Sequence, residues 1–483
     1  MILKEILHSL DQYELTGADN RKLYGLTHNS RKSSSSNNVF FAIQGTHADG
    51  HEFISHAISN KADIIFHEKK LDSYANHVSY VLVENTKQVL GLICNIFFEY
   101  PLENVKVIAV TGTNGKTSVA NYTYQALLGL GYKPLLLSTA GDYFEKKTIA
   151  LNREAPSTLE TIEFFKVAQQ YKEKGVTHIC LEATSQALDQ NRLAGISIDC
   201  AVFTNLEKDH LDYHLTMNHY AASKRKLFDL IKEGGTVVAN KDDDYYEFMT
   251  GILSESSVLS VSSQKEADVH YSIKKQAVEG MSLTINNATF SVNVFGSFNA
   301  INIALVYGVL YSLGQKTDKI IYTLSSLSSV PGRAEIIPND KGVLALVDYA
   351  HSADAVKNFL HSLHTIQHRK IITVLGCGGD RDPGKRPYMA EAAVTEADVA
   401  IFTQDNPRTE NPDQIFRDMI QNLDKESYLV IHDREEAIAA AVRMALPNDI
   451  ITILGKGHED YQIIGKKKIN FDDRKILKKY LES

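Results

Sequence analysis

The chain has few cysteines, no long hydrophobic run and no surplus of positive charge. Four cysteines occur in 483 residues, Cys94, Cys180, Cys200 and Cys377, scattered and without a C-x-x-C pair. That spacing excludes a disulfide scaffold, and three of the four sit in apolar runs, where a cysteine reads as a small buried hydrophobe. Thiols of this kind suit a reducing compartment, and a cytoplasmic address is expected. No apolar run approaches the ~18 residues needed to cross a bilayer. The opening Met1-Ile2-Leu3-Lys4-Glu5-Ile6-Leu7-His8 mixes charge with helical apolar spacing, unlike the apolar stretch of a signal peptide. A formal net charge of -8 leaves no broad basic surface for nucleic acid. It leaves room for an anionic small molecule held by local cations and backbone groups.

What is present is ordinary globular material. Hydrophobic residues make up 43% and charged residues 23%, and 483 residues exceed one ordinary core. At about 150 residues per domain the length predicts three domains. Residues 1–102 mix short strands, at 39–43 and 62–66, with helices. The serines at 33–36, followed by Asn37 and Asn38, make a surface turn, and Pro101 closes this block. From Val105 an α/β rhythm begins: a strand at 105–110, a glycine-bearing turn, a helix at 119–130, then buried strands at 177–182, 200–204 and 236–239. A polar, β-leaning stretch covers 258–295 and an apolar helix 299–313. A second rhythm follows Pro331-Gly332-Arg333, with strands at 343–347, 371–375, 399–403, 428–431 and 450–454. The predicted fold class is therefore α/β, divided 1–102, 103–333 and 334–483, with mostly parallel sheets whose ligands gather beyond the carboxyl ends of the strands. No short-period repeat is visible.

The sharpest motif is Thr111-Gly112-Thr113-Asn114-Gly115-Lys116-Thr117, between a predicted strand and a helix. Glycines let backbone N–H groups turn toward phosphate oxygens, and the helix start adds its positive dipole. Lys116 would reach the outer phosphates and Thr117 would offer its hydroxyl to Mg²⁺. Val110 stands where the first glycine of the standard phosphate loop would be. The bland alternative, a glycine turn with an exposed lysine, fits the strand–turn–helix context less well.

Glu182 ends a buried strand, where a carboxylate is costly unless it serves a metal or a partner. The run from Asn205 to His214 contains Glu207, Asp209, His210 and Asp212 after another strand. Its spacing matches no usual zinc motif and reads as a loop lining a Mg²⁺–nucleotide site. Lys224, beside Arg225 and Lys226, reads from composition as part of a solvated helical face.

Taken in order, these motifs resemble the Mur ligases. The resemblance rests on residues 111–117, Asp209-His210-Leu211-Asp212-Tyr213-His214, Phe298-Asn299 with Asn302, and Val330-Pro331-Gly332-Arg333. It continues through Asp348-Tyr349-Ala350-His351, Gly376-Cys377-Gly378-Gly379-Asp380-Arg381-Asp382, Asp405-Asn406-Pro407-Arg408 and Gly455-Lys456-Gly457-His458-Glu459. Any one alone is common; so many in order is specific. The Gly376–Gly379 turn is no dinucleotide fingerprint, because Arg381 stands at its last glycine.

The resemblance implies an N-terminal UDP-substrate domain, a central ATPase and a C-terminal Rossmann-like domain that takes an amino acid. It implies an ATP- and Mg²⁺-dependent amide ligase of peptidoglycan precursor synthesis, expected to be monomeric. ATP would phosphorylate the D-glutamyl carboxylate of UDP-MurNAc-L-Ala-D-Glu, and an amine would displace phosphate. Lys116, Lys224 and His210 are its catalytic expectations. Residues 111–117, Asn299 and Arg333 would bind ATP, and Thr117, Glu182, His210 and a carbamylated Lys224 would hold metal. Ser30, Thr46, His47, Ala48, Glu154, Ala155, Thr184, Gln190 and Arg192 match positions for the UDP substrate. Arg386, Asp405, Asn406, Pro407, Arg408, Gly455 and Glu459 match those for the incoming amino acid.

Four positions depart from the family pattern: Asn29 for an aspartate, Glu154 and Ala155 for a threonine pair, and Gln186 for a histidine. Ser157 and Thr158 are the nearest replacements for the lost hydroxyls. The incoming amino acid is expected to be meso-diaminopimelate over L-lysine. Only the former has a second carboxylate to meet the planar guanidinium of Arg408. A sister ligase such as a folylpolyglutamate synthetase, or a module that merely hydrolyses ATP, are the alternatives.

Overall fold

A computed structural model of the chain describes residues 1–46, 48–151, 153–155, 157–254 and 257–483. Successive segments build separate sheets. The first sheet has five strands in the order Glu14–Thr16, Ser79–Leu82, Ile64–His67, Val39–Phe41, Leu26–Thr27. All but the first pairing are parallel. Val39–Phe41 and Ile64–His67 are buried on both faces, which is why they read as unbroken apolar runs.

The middle segment supplies an eleven-stranded sheet. By its contacts the chain forms two compact units, one of residues 1–109, 133–201 and 223–235, the other of 110–132, 202–222 and 236–483. In the first unit, His178–Glu182 lies parallel to Pro134–Ser138, which continues antiparallel into Gly141–Phe144 and Lys147–Ile149. In the second, residues 237–240 pair in parallel with Val258–Ser262. Val269–Ala277, Gly280–Ile285 and Ala288–Val292 then form an antiparallel meander. The polar stretch 258–295 thus resolves into four strands, and its alternating burial explains the weak apolar signal. The helix Asn299–Ser312 is buried nearly all round and packs against Lys116–Gly129.

The last sheet has six strands in the order Glu335–Ile336, Leu344–Asp348, Ile450–Leu454, Ile371–Cys377, Val399–Gln404, Tyr428–Val430. Every pairing except that of the first strand is parallel. Apolar clusters cover both faces, one around Phe359, Leu375 and Phe402, the other around Val347, Ile401 and Ile438. The five parallel strands fall within a residue or two of the positions predicted, whereas the two-residue strand Glu335–Ile336 was not predicted. Pro134–Ser138 and the helix Thr161–Lys172 are not legible in the same way: the first is a five-residue buried run, too short for its period to declare itself. All four cysteines are free and buried, as small hydrophobes, and burial pushes the Cys377 thiol up to about 12. Among the described residues no helix is long and apolar enough to cross a membrane.

Candidate active site

The second unit contains the glycine-bearing turn. Gly112 (φ +145°) and Gly115 (φ +85°) adopt backbone conformations that favour glycine. A Cβ on Gly112 would lie 1.9 Å from the Thr204 hydroxyl, and one on Gly115 2.5 Å from Asn302 Oδ1. Space here is reserved for backbone. Thr113 N–H donates to the Asn205 carbonyl (2.8 Å), Asn114 N–H to Asn205 Oδ1 (2.8 Å), and the Thr204 hydroxyl to the Asn114 carbonyl (2.6 Å). Lys116 Nζ donates to the carbonyls of Gly112 (2.9 Å) and Thr113 (2.7 Å), so the ammonium folds back over the turn. Thr117 Oγ1 accepts from Arg333 Nη2 (2.9 Å), and the Arg333 guanidinium stacks on Tyr349, 4.3 Å from the ring centre. Asn299 Nδ2 donates to the Phe295 carbonyl (2.8 Å), while its Oδ1 accepts from Asn302 (3.0 Å).

Behind the turn, Asn114 Nδ2 donates to Glu207 Oε2 (2.6 Å). Burial, reinforced by the charges of Asp354 and Asp243, pushes the Glu207 carboxyl up to about 7. Asp209 lies 3.5 Å from His210 Nε2, 3.6 Å from Lys385 and 3.9 Å from His351 Nε2. Burial opposes its ionisation, but its positive neighbours, His210 and then Lys385, hold it well below the usual carboxylate range. Motifs far apart in sequence therefore converge on one carboxylate.

In the first unit Glu182 is 1% exposed; it accepts from Thr139 N–H (2.6 Å) through Oε1 and from Thr139 Oγ1 (3.1 Å) through Oε2. The Thr158 hydroxyl donates to the Glu182 carbonyl (2.8 Å) and lies 3.2 Å from that of Thr184, which caps the helix Ser185–Asp189. Ser157 accepts from Thr139 Oγ1 (2.8 Å). Of the two hydroxyls considered as replacements, that of Thr158 thus stands beside Glu182 and Thr184, and that of Ser157 beside Thr139, which also bonds Glu182. Glu154 instead pairs with Lys32, and Ala155 is buried. Arg192 is held by Gln190 (2.6 Å) and Glu160 (3.0 Å). Lys224 is 1% exposed, which overturns the solvated-face reading. Composition alone cannot tell which cation of a basic run faces inward.

Ser30 and Ala48 line a cavity of about 620 Å³ with His28, Phe40 and Phe53. The Ser30 hydroxyl is 3.0 Å from His56 Nδ1. Thr46 is exposed nearby in sequence, and His47 lies outside the described residues.

The second unit also holds the amino-acid candidates. Asp405 and Asn406 follow the strand Val399–Gln404 and are buried. Asn406 Nδ2 donates to Glu459 Oε2 (2.8 Å), and Gly455 (φ +108°) leaves room for Asp405, whose Oδ2 would meet a Cβ at 2.8 Å. Arg408 Nη1 donates to the Gly379 carbonyl (2.7 Å), whereas a Cβ on Gly379 would strike the Pro407 carbonyl at 2.0 Å. Arg386 is 1% exposed and donates to Glu410 (2.6 Å) and Asp418 (2.7 Å). Gly332 (φ +65°) touches the 455–459 turn so closely that a Cβ would lie 2.0 Å from His458 N. Sequence reasoning passed over Lys456. Its side chain is fully buried and its ammonium joins Glu459 Oε2 (3.0 Å), Asn406 Oδ1 (3.4 Å) and the Tyr461 carbonyl (2.5 Å). The available signal was a lysine between two glycines directly after a buried strand.

Three family models match the chain: Mur ligase family, catalytic domain over residues 22–98, Mur ligase middle domain over 110–310, and Mur ligase, glutamate ligase domain over 332–457. A protein of Phocaeicola vulgatus is 36% identical over 483 residues, covering 99% of each chain. This chain belongs to the Mur ligase family. That relative is named UDP-N-acetylmuramoyl-L-alanyl-D-glutamate--2,6-diaminopimelate ligase. One of the same name from Fusobacterium nucleatum is 37% identical, covering 95% of this chain and 94% of its own. A solved structure titled with that activity superposes with a TM-score of 0.69 at 30% identity, covering 100% of this Mur ligase and 98% of the other chain. A folylpolyglutamate synthase of Mycobacterium tuberculosis shares the fold alone, at 15% identity and a TM-score of 0.61 over 76% of this chain and 92% of its own.

Proposed function

We propose that this Mur ligase joins meso-diaminopimelate to the side-chain carboxyl of D-glutamate in UDP-MurNAc-L-Ala-D-Glu, using ATP, in the cytoplasm. The observation that carries the reading is the 36% identity, over 99% of each chain, to a ligase of that name, in a chain whose phosphate turn is built for backbone approach. The γ-phosphoryl group of ATP passes to a carboxylate oxygen of the substrate and ADP leaves. The amine of diaminopimelate then attacks the acyl carbon, loses a proton and expels phosphate. A carboxylate is a poor electrophile; phosphorylation supplies the leaving group. Lys116 and the N–H groups opening its helix neutralise charge that builds during transfer. Arg333, which donates to Thr117 and stacks on Tyr349, would contribute a cation to the nucleotide site beside the turn.

Mg²⁺ takes hydroxyl and carboxylate ligands, and Thr117 and His210 of the second unit and Glu182 and a carbamylated Lys224 of the first are the candidates to hold it, each in its own unit. When bound, the ion would offset phosphate charge. Burial of Lys224 to 1% supports a partnered side chain over a solvated one. The Ser30–Ala48 cavity suits the uridine end of the substrate; Thr158, Thr184, Gln190 and Arg192 suit the part nearer the peptide. Asp405, Asn406 and Glu459 suit the ammonium of diaminopimelate, and Arg408 its far carboxylate.

ADP release should require both UDP-MurNAc-L-Ala-D-Glu and meso-diaminopimelate. Wild type should prefer diaminopimelate to L-lysine in kcat/KM, and Arg408→Ala should shrink that preference about 10- to 150-fold, the worth of a charged hydrogen bond. Equal wild-type efficiencies, or an unchanged ratio in the variant, would exclude Arg408 as selector.

A further inference from the structure

We infer that Arg434, locked to Asp473, is a positioning residue for the incoming amino acid: it ties together the carboxyl ends of two unpaired strands whose following loops form the proposed pocket. Arg434 opens the helix Arg434–Met444, and both side chains of the pair are fully buried. Nε donates to Asp473 Oδ1 and Nη2 to Oδ2, each at 2.8 Å, in a parallel two-bond fork. The remaining donors reach outward. Nη2 donates to the carbonyl of Leu454 (2.9 Å) and Nη1 to that of Gln404 (3.3 Å). Leu454 ends the strand before Gly455, and Gln404 ends the strand before Asp405.

Those strands do not pair with one another; Ile371–Cys377 lies between them. The guanidinium bridges over that middle strand at Gly376, where an added Cβ would meet Nη1 at 3.1 Å and the Thr403 carbonyl at 2.7 Å. A side chain there would crowd the bridge, so the glycine of Gly376-Cys377-Gly378 has a structural reason. Burial alone would weaken protonation of Arg434. The charge of Asp473, then those of Asp405 and Glu459, outweighs burial and holds the guanidinium above its ordinary value. Two of these three carboxylates are proposed ligands of the amino acid.

A buried ion pair is weak evidence for stability, since an apolar replacement of similar volume is often neutral. What a hydrophobic residue could not reproduce is a planar cation satisfying two carbonyls and a carboxylate together. Lysine keeps the charge but loses the fork.

The inference rests on the functional reading above, and its test separates the two. Arg434→Lys and Asp473→Asn are compared with wild type for kcat and for the KM of meso-diaminopimelate, ATP and UDP-MurNAc-L-Ala-D-Glu, with near-ultraviolet circular dichroism reporting the fold. The KM for diaminopimelate should rise about tenfold or more in Arg434→Lys and about threefold in Asp473→Asn. The other two KM values should stay within about twofold. If wild type releases no ADP in response to diaminopimelate, the functional reading fails. If wild type does so and the variants keep its KM, or all three KM values move together, only the positioning role is overturned. Loss of fold in both variants would also overturn it, because the pair would then serve the core and not the loops.

Discussion

The phosphate turn and the amino-acid crevice, both in the second unit, are built on opposite plans. The turn is continuous in sequence and works through backbone: two glycines make room, and side chains such as Asn114 and Thr204 only hold the path. The crevice draws on three separated stretches, 376–386, 405–410 and 455–463, and works through side chains whose charges must be balanced inside the protein. Damage to the turn should therefore remove chemistry with little loss of fold. Damage to the crevice should cost fold and affinity together.

Lys116→Ala is the largest expected effect. Removing one preorganised cation from a charge-stabilising cradle lowers kcat by about 10²- to 10³-fold. The thermal midpoint should stay within a few degrees of wild type, because Nζ donates to the Gly112 and Thr113 carbonyls, both in its own turn. Turnover near wild type in a folded variant would break the assignment of the turn to phosphate.

Lys456→Met tests the other plan. It strips a fully buried ammonium from Glu459 and the Tyr461 carbonyl, and breaking a buried pair costs about 3–5 kcal/mol. Urea unfolding should show that loss, and the KM for diaminopimelate should rise. A variant as stable as wild type would mean that the crevice tolerates an unpaired Glu459.

A smaller effect concerns pH. Glu207 titrates near 7 when folded and near 4.5 in the ordinary carboxylate range, so between those values the folded chain binds more protons than the unfolded one. Its contribution to stability therefore falls as pH rises through that window. Glu207→Gln should flatten this part of the dependence of the thermal midpoint on pH between about 4.5 and 7. An identical slope in the variant would remove Glu207 as its cause.

The smallest effect is expected at the half-exposed Lys32–Glu154 pair. Lys32→Ala should change stability by less than about 1 kcal/mol. Glu154→Ala should alter the KM for the UDP substrate by less than about threefold, because its carboxylate is engaged by Lys32. A rise of tenfold or more would establish Glu154 as a direct substrate contact.

Legibility followed the same divide. Strands of the last sheet were readable because burial on both faces turns each into an unbroken apolar run. Residues 111–117 were readable because a phosphate turn requires glycine, lysine and hydroxyl at fixed offsets within one stretch. Lys224 was not: Ala222-Ser223-Lys224-Arg225-Lys226 looks like a solvated face, yet Lys224 is buried while Arg225 is half-exposed. Arg434 was missed for the same reason: a lone cation carries no local pattern, and its partner Asp473 lies 39 residues away. Lys456 had a local signal, its place between two glycines after a buried strand, but its contact to Asn406 spans 50 residues.

By itself the sequence determined the α/β class, the parallel strands of the last sheet, the phosphate turn and the order of motifs that marks the family. Each is set by short-range rules of periodicity, backbone freedom and spacing. The tertiary structure alone decided which charges meet: Asp209 with Lys385 and His351, Asn406 with Glu459 and Lys456, Arg434 with Asp473 across Gly376. Those partnerships depend on which strand lies beside which, and a buried charge is tolerable only where that neighbour arrives.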